Sequence, residues 1–137
     1  MSTETGLPIV VFVCVQNAGR SQMAEALFNR LAEGRALARS AGSRPADAVH
    51  PVVIQAMSEV GIDLSAAKPK GLTTEVTAGA DWVVGMGCGD ECPFIPGSKR
   101  IDWDVADPAA ASLNGVRGIR NDIKRLVELL VADVVGS

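Results

Sequence analysis

The chain has 137 residues, is 47% hydrophobic and carries a net charge of −3, which suits one domain spanning residues 1–137 with a single core. That charge supplies no basic surface for nucleic acid or an anionic membrane, and no apolar run approaches the ~20 residues that span a bilayer. No basic-then-apolar leader opens it and its three cysteines are an odd number, so the expectation is a cytoplasmic protein with reactive thiols, not a disulfide framework.

Residues 1–7 are polar and are expected to fray. Residues 9–13 are apolar and mostly β-branched, and they run straight into Cys14, the pattern of a buried parallel strand. After a short loop, Arg20 and Ser21 open a helix whose Met23, Leu27, Phe28 and Leu31 share one face. Residues 36–42 read as a second strand closing at Gly42, followed by a loop in which Arg44 is a solvated side chain. Pro51 stands at a first helical position, Val53, Met57 and Val60 follow at helical spacing, and Gly61 is the stop. His50, the only histidine, reads as a helix-start residue because no Ser/His/Asp arrangement surrounds it. Thr73 and Thr74 suit another helix start. Residues 81–86 and 99–103 read as further strands, and Val116, Ile119, Ile123, Leu126, Val127 and Leu130 mark a long amphipathic helix. The alternation predicts an α/β fold: a three-layer, doubly wound, four-stranded parallel sheet with helices on both faces. Cys14 then stands at the carboxyl edge of the sheet, where such folds bind ligands.

A strand–loop–helix unit turns backbone N–H groups and the positive end of the helix dipole toward the loop, surroundings that favour a thiolate at Cys14. Arg20 completes a Cys-x5-Arg spacing and offers a planar fork of donors, so the amides of Val15, Gln16, Asn17, Ala18 and Gly19 with Arg20 form a cradle for a tetrahedral oxyanion. Ser21 can donate its hydroxyl to the sulfur, Asn17 can tie the loop together, and Gly19 permits a sharp return. The bland alternative is an inert buried cysteine ending a core strand, and the flanking strand and helix favour the nucleophile. Cys88 and Cys92 flank Gly89-Asp90-Glu91. With only Cys14 and His50 beside them, the ~four ligands of a structural zinc are not available, so no metal is expected and a redox role fits. Asp104 and Asp107 follow the fourth strand, where an acid could protonate a departing oxygen; Asp104 reads as capping or solvating the loop.

Cys14-Val-Gln-Asn-Ala-Gly-Arg20-Ser21-Gln-Met-Ala resembles the phosphate-binding loop of the low-molecular-weight protein tyrosine phosphatase superfamily, and more closely that of the arsenate reductases sharing its fold. The similarity runs on through Ser40-Ala-Gly-Ser43, Gly61-Ile-Asp-Leu-Ser65 and Cys88-Gly-Asp-Glu-Cys92-Pro to Asp107-Pro108, with Gln16 where many members carry Gly. The resemblance implies an enzyme in which arsenate sits in the loop, Cys14 attacks arsenic and Asp107 is the acid. In thioredoxin-coupled members two further cysteines relay the oxidation outward. The short Cys-Gly-Asp-Glu-Cys form looks more like the branch that uses mycothiol, with a glutaredoxin-like mycoredoxin as partner. The preferred expectation is therefore an arsenate-mycothiol transferase with no bound cofactor, and its runner-up a relay from Cys14 through Cys88 to Cys92 and thioredoxin. Tyrosine phosphatases of this fold carry aromatic residues after the Asp-Pro; here Ala109-Ala110 follow and the chain has no Tyr, which leaves a phosphotyrosine ring little to stack on. A small-substrate phosphomonoesterase and a non-catalytic oxyanion-binding module are the other readings.

Overall fold

A computed structural model describes residues 6–89 and 92–135. The fraying expected of residues 1–5 and the central Asp90-Glu91 of the cysteine segment lie outside the described residues. Strand β1 (Ile9–Cys14) is buried along its whole length, as its unbroken apolar run demands. It leads through a loop to α1 (Arg20–Ala32), then β2 (Leu37–Gly42), α2 (Pro51–Ser58), the one-turn α3 (Thr74–Thr77), β3 (Trp82–Gly85), β4 (Lys99–Asp102) and α4 (Leu113–Val135). The sheet order is β2-β1-β3-β4 and every pairing is parallel. Cys14 pairs with Gly42 and Val13 with Gly85, so β1 ends between two strands whose connections leave in opposite directions. That is the topological switch point at which open α/β sheets take ligands.

The helices cover the two faces unequally. Val10, Phe12 and Cys14 face the large cluster built from α1, α2 and α4, including Met23, Leu27, Phe28, Val53, Met57, Ile123 and Val127. There the Phe12 ring meets Phe28 at 6.0 Å between centroids and Trp103 at 5.6 Å. Ile9, Val11 and Val13 point the other way, into a smaller cluster completed by Val83 and Cys88 and lined by Val76 of α3, Leu72 and Ile95. Thr73 caps α3 by accepting a hydrogen bond from Val76 N at 3.2 Å. A 3₁₀ turn over Pro108–Ala110 was not legible, since three residues carry no periodicity. Among the described residues, no helix is long and apolar enough to cross a membrane.

Glu59, just past the end of α2, braces that helix against α4. It accepts from Arg117 Nη2 at 2.6 Å and Arg120 Nη1 at 2.9 Å. The hydrogen bond from Arg117, then that from Arg120, lowers its carboxyl from 4.5 to about 2. A carboxyl lowered in the folded state adds stability above its unfolded value and loses it as pH falls toward the folded one, here between 4.5 and about 2. Glu59→Gln is therefore expected to be less stable than the parent in urea at about pH 6, with the gap narrowing at about pH 3.

Candidate active site

The loop between β1 and α1 is shaped by where its carbonyls go. Cys14 O accepts from Ser43 N at 3.1 Å, Val15 O from Arg44 N at 2.8 Å, Gln16 O from Ala46 N at 3.0 Å and Ala18 O from His50 N at 3.0 Å. Asn17 O takes Gln22 Nε2 at 3.2 Å and Gly19 O takes Met23 N at 3.0 Å. With the carbonyls bonded outward, the loop's N–H groups are left for the concave side, a nest for an anion. Asn17 supplies the left-handed residue the turn needs, at φ 52°, and its N–H lies 3.2 Å from Cys14 Sγ. Gly19 has a negative φ of −148°, and its lack of a side chain serves close packing: a Cβ there would lie 2.6 Å from Pro108 Cγ. The absent side chain lets the Asp107-Pro108 segment close onto the loop.

Asn17, Ser21, Gln22 and Ser40 are the buried polar residues among those described, and they form one network beneath the loop. Asn17 Oδ1 accepts from Lys70 N at 2.8 Å and Gln22 Nε2 at 3.0 Å, which orients the amide. Its Nδ2 donates to Ser40 Oγ at 3.0 Å and Ser21 Oγ at 2.7 Å. Ser21 Oγ, which accepts from Asn17, lies 2.8 Å from Cys14 Sγ, where its hydroxyl can donate to a thiolate. Lys70 Nζ and Glu25 meet Ser40 at the network's outer edge.

Above the loop lies a cavity of about 370 Å³. Cys14 forms its floor at 2% exposure, with Val15, Gln16, Ala18, Gly19, Arg20 and Asp107 around it. Arg20 is held by Nη1 donating to Val105 O at 3.3 Å, and its Nη2 lies 3.7 Å from Asp107 Oδ2. Asp107 is 58% exposed and caps the 3₁₀ turn by accepting from Ala109 N at 3.0 Å. Of the two roles read for Asp104, capping is done by Asp107 instead, and Asp104 is exposed to solvent.

The side chains of Asn17 and Ser21 face the buried network and not the cavity: Asn17 ties the loop together and Ser21 Oγ reaches the Cys14 sulfur, as the sequence suggests. Two lining residues were missed. His50 does cap α2 in sequence, yet that position also brings its ring to the cavity wall. Gly87 follows β3 at φ +92°, and a Cβ there would lie 2.5 Å from Arg20 Nη1. Neither carries a spacing signal, because both arrive from other strands. Arg44 is exposed and outside the cavity wall.

Cys88 and Cys92 are joined as a disulfide with Cα atoms 5.2 Å apart, while Cys14 is free. Cys88 is buried on the face of the sheet opposite Cys14, its sulfur 3.7 Å from Val13 O. Among the described residues, no group of three or more His, Cys, Asp or Glu could hold a metal ion.

A free thiol on the floor of a cavity ringed by a loop of amides, at the switch point of a doubly wound sheet, defines a cysteine-dependent oxyanion enzyme of the α/β class. Residues 9–136 match the low molecular weight phosphotyrosine protein phosphatase family, and the chain belongs to it. A relative from Halobacterium salinarum is 41% identical over 86% of this chain and 87% of its own. The glutaredoxin arsenate reductase of Synechocystis is 36% identical over 91% of this chain and 97% of its own. The structure of a thioredoxin-dependent arsenate reductase from Corynebacterium glutamicum superposes with a TM-score of 0.84 at 39% identity, over 96% of this chain. This chain spans 64% of the length of that longer protein.

Proposed function

We propose that the protein is an arsenate reductase that passes the oxidation through its own cysteines. Arsenate is held by the loop amides and Arg20. The Cys14 thiolate attacks arsenic, an As–O bond breaks, and the oxygen leaves as water with a proton from Asp107. Cys88 as thiolate then attacks the Cys14 sulfur; an S–S bond forms, the S–As electron pair stays on arsenic, and arsenite departs. Cys92 displaces Cys14 from that disulfide and closes the bridge to Cys88, which an external dithiol such as thioredoxin reopens.

The observation that carries this reading is a free Cys14 on the cavity floor together with Cys88 and Cys92 within disulfide reach of each other, Cα atoms 5.2 Å apart, just past the neighbouring strand β3. Cys88 must cross from the far face to reach Cys14, and Gly87 and Gly89 on either side of it, at φ +92° and +56°, give the backbone that freedom. A second reading rests on the short Cys-x3-Cys spacing: mycothiol takes the arsenic from Cys14, and a mycoredoxin reduces the conjugate.

Arsenite release by the parent, Cys88→Ser and Cys92→Ser separates the two. Activity with thioredoxin and its reductase, lost in either variant, is expected. Activity only with mycothiol and mycoredoxin, surviving both substitutions, would establish the second reading. No arsenite under either system but rapid turnover of an aryl phosphate would replace both with a small-substrate phosphomonoesterase.

A further inference from the structure

The side chains on the cavity wall that carry nitrogen donors are Gln16, Arg20 and His50. Gln16 is exposed, and Arg20 already spends one nitrogen on Val105 O and faces Asp107 with another. His50 is different. Its backbone is pinned by N–H donation to Ala18 O at 3.0 Å and by accepting from Val53 N at 2.9 Å. Its ring packs against Gly19, with Cδ2 3.6 Å from where a Cβ there would stand. The side chain makes no capping bond, and among the described residues nothing hydrogen-bonds either ring nitrogen. A half-buried imidazole anchored to an oxyanion loop and lining the cavity has its ring nitrogens available to what the cavity takes. Charge points the same way: Arg20 is the wall's one permanent cation, set against Asp107, a Cys14 thiolate and the incoming anion.

We propose that His50 is a substrate-binding residue, donating a ring N–H to an oxygen of the tetrahedral oxyanion that does not depart. The assignment rests on the oxyanion reading above and adds a contact from the segment between β2 and α2. Inorganic phosphate, which binds without redox chemistry, is the probe: it is titrated calorimetrically into the parent, His50→Phe, His50→Ala and His50→Asn, and arsenate kinetics are followed in parallel. His50→Phe keeps a planar ring without donors and is expected to weaken phosphate about tenfold and raise KM for arsenate similarly. Its kcat should stay within about twofold, and His50→Asn, which keeps a donor, should lose less than His50→Phe. Should His50→Phe fail to fold, His50→Ala carries the same comparison. Phosphate affinity equal to the parent in the folded donor-free variants overturns the assignment alone. A parent that binds neither phosphate nor arsenate overturns the oxyanion reading itself.

Discussion

Replacing Cys14 by Ser is expected to abolish arsenite release, a loss of about 10⁴-fold or more, while the protein stays folded and still binds phosphate. A serine hydroxyl is a far weaker nucleophile than a thiolate, and an oxygen cannot enter the disulfide through which the electrons would leave. In the proposed mechanism the binding donors are separate from the nucleophile, and the substituted oxygen remains within reach of Ser21 and the Asn17 N–H. Steady-state arsenite assays with a parallel phosphate titration check both halves. Arsenite release that survives in the variant would move the nucleophile away from Cys14.

The second large effect is expected from a residue that carries no functional group. Gly87→Ala puts a methyl group 2.5 Å from Arg20 Nη1 and 3.2 Å from its Cζ, on a backbone at φ +92°. The left-handed conformation alone costs about 1–2 kcal/mol. Among the described residues the guanidinium, the end of a flexible side chain, is held by the Val105 carbonyl and by Asp107 at 3.7 Å, so it is the part that gives way. Displacing a substrate-positioning group by about 1 Å can lower turnover about 10²-fold, and a loss of that order in kcat/KM is expected together with weaker phosphate binding. Unfolding in urea separates the stability loss from the catalytic one; unchanged phosphate affinity would show that Arg20 holds its place without Gly87.

The sheet was legible because its central strand advertises itself: six consecutive residues ending at Cys14 are buried, and no other arrangement of so apolar a run suits this chain. Pro51 marked the start of α2 and Thr73 the start of α3, since both act through local backbone chemistry. Cys14 and Arg20 stand six residues apart, and their shared place on the cavity wall was equally readable. What escaped depends on distant segments meeting. His50 and Gly87 reach the cavity from the ends of β2 and β3 connections, and nothing within a few residues of either reports that approach. Gly19 was read as a turn glycine, yet its need for a missing side chain comes from Pro108, far along the chain. Asn17 as the tie of the loop and Ser21 beside the sulfur were legible because both act within a few residues of Cys14.

The carbonyl ties and the polar network under the loop have a consequence for how an anion is met. Fixing a residue's backbone costs roughly 1–2 kcal/mol, so a cradle that assembled only on encounter would surrender several kcal/mol of affinity to ordering. Here the carbonyls of residues 14–19 are bonded and the amide of Asn17 is locked before any ligand arrives. That entropy is lost once, when the chain folds, and not again at each turnover. The receptor is preorganised: the loop itself pays no ordering penalty as oxyanions come and go.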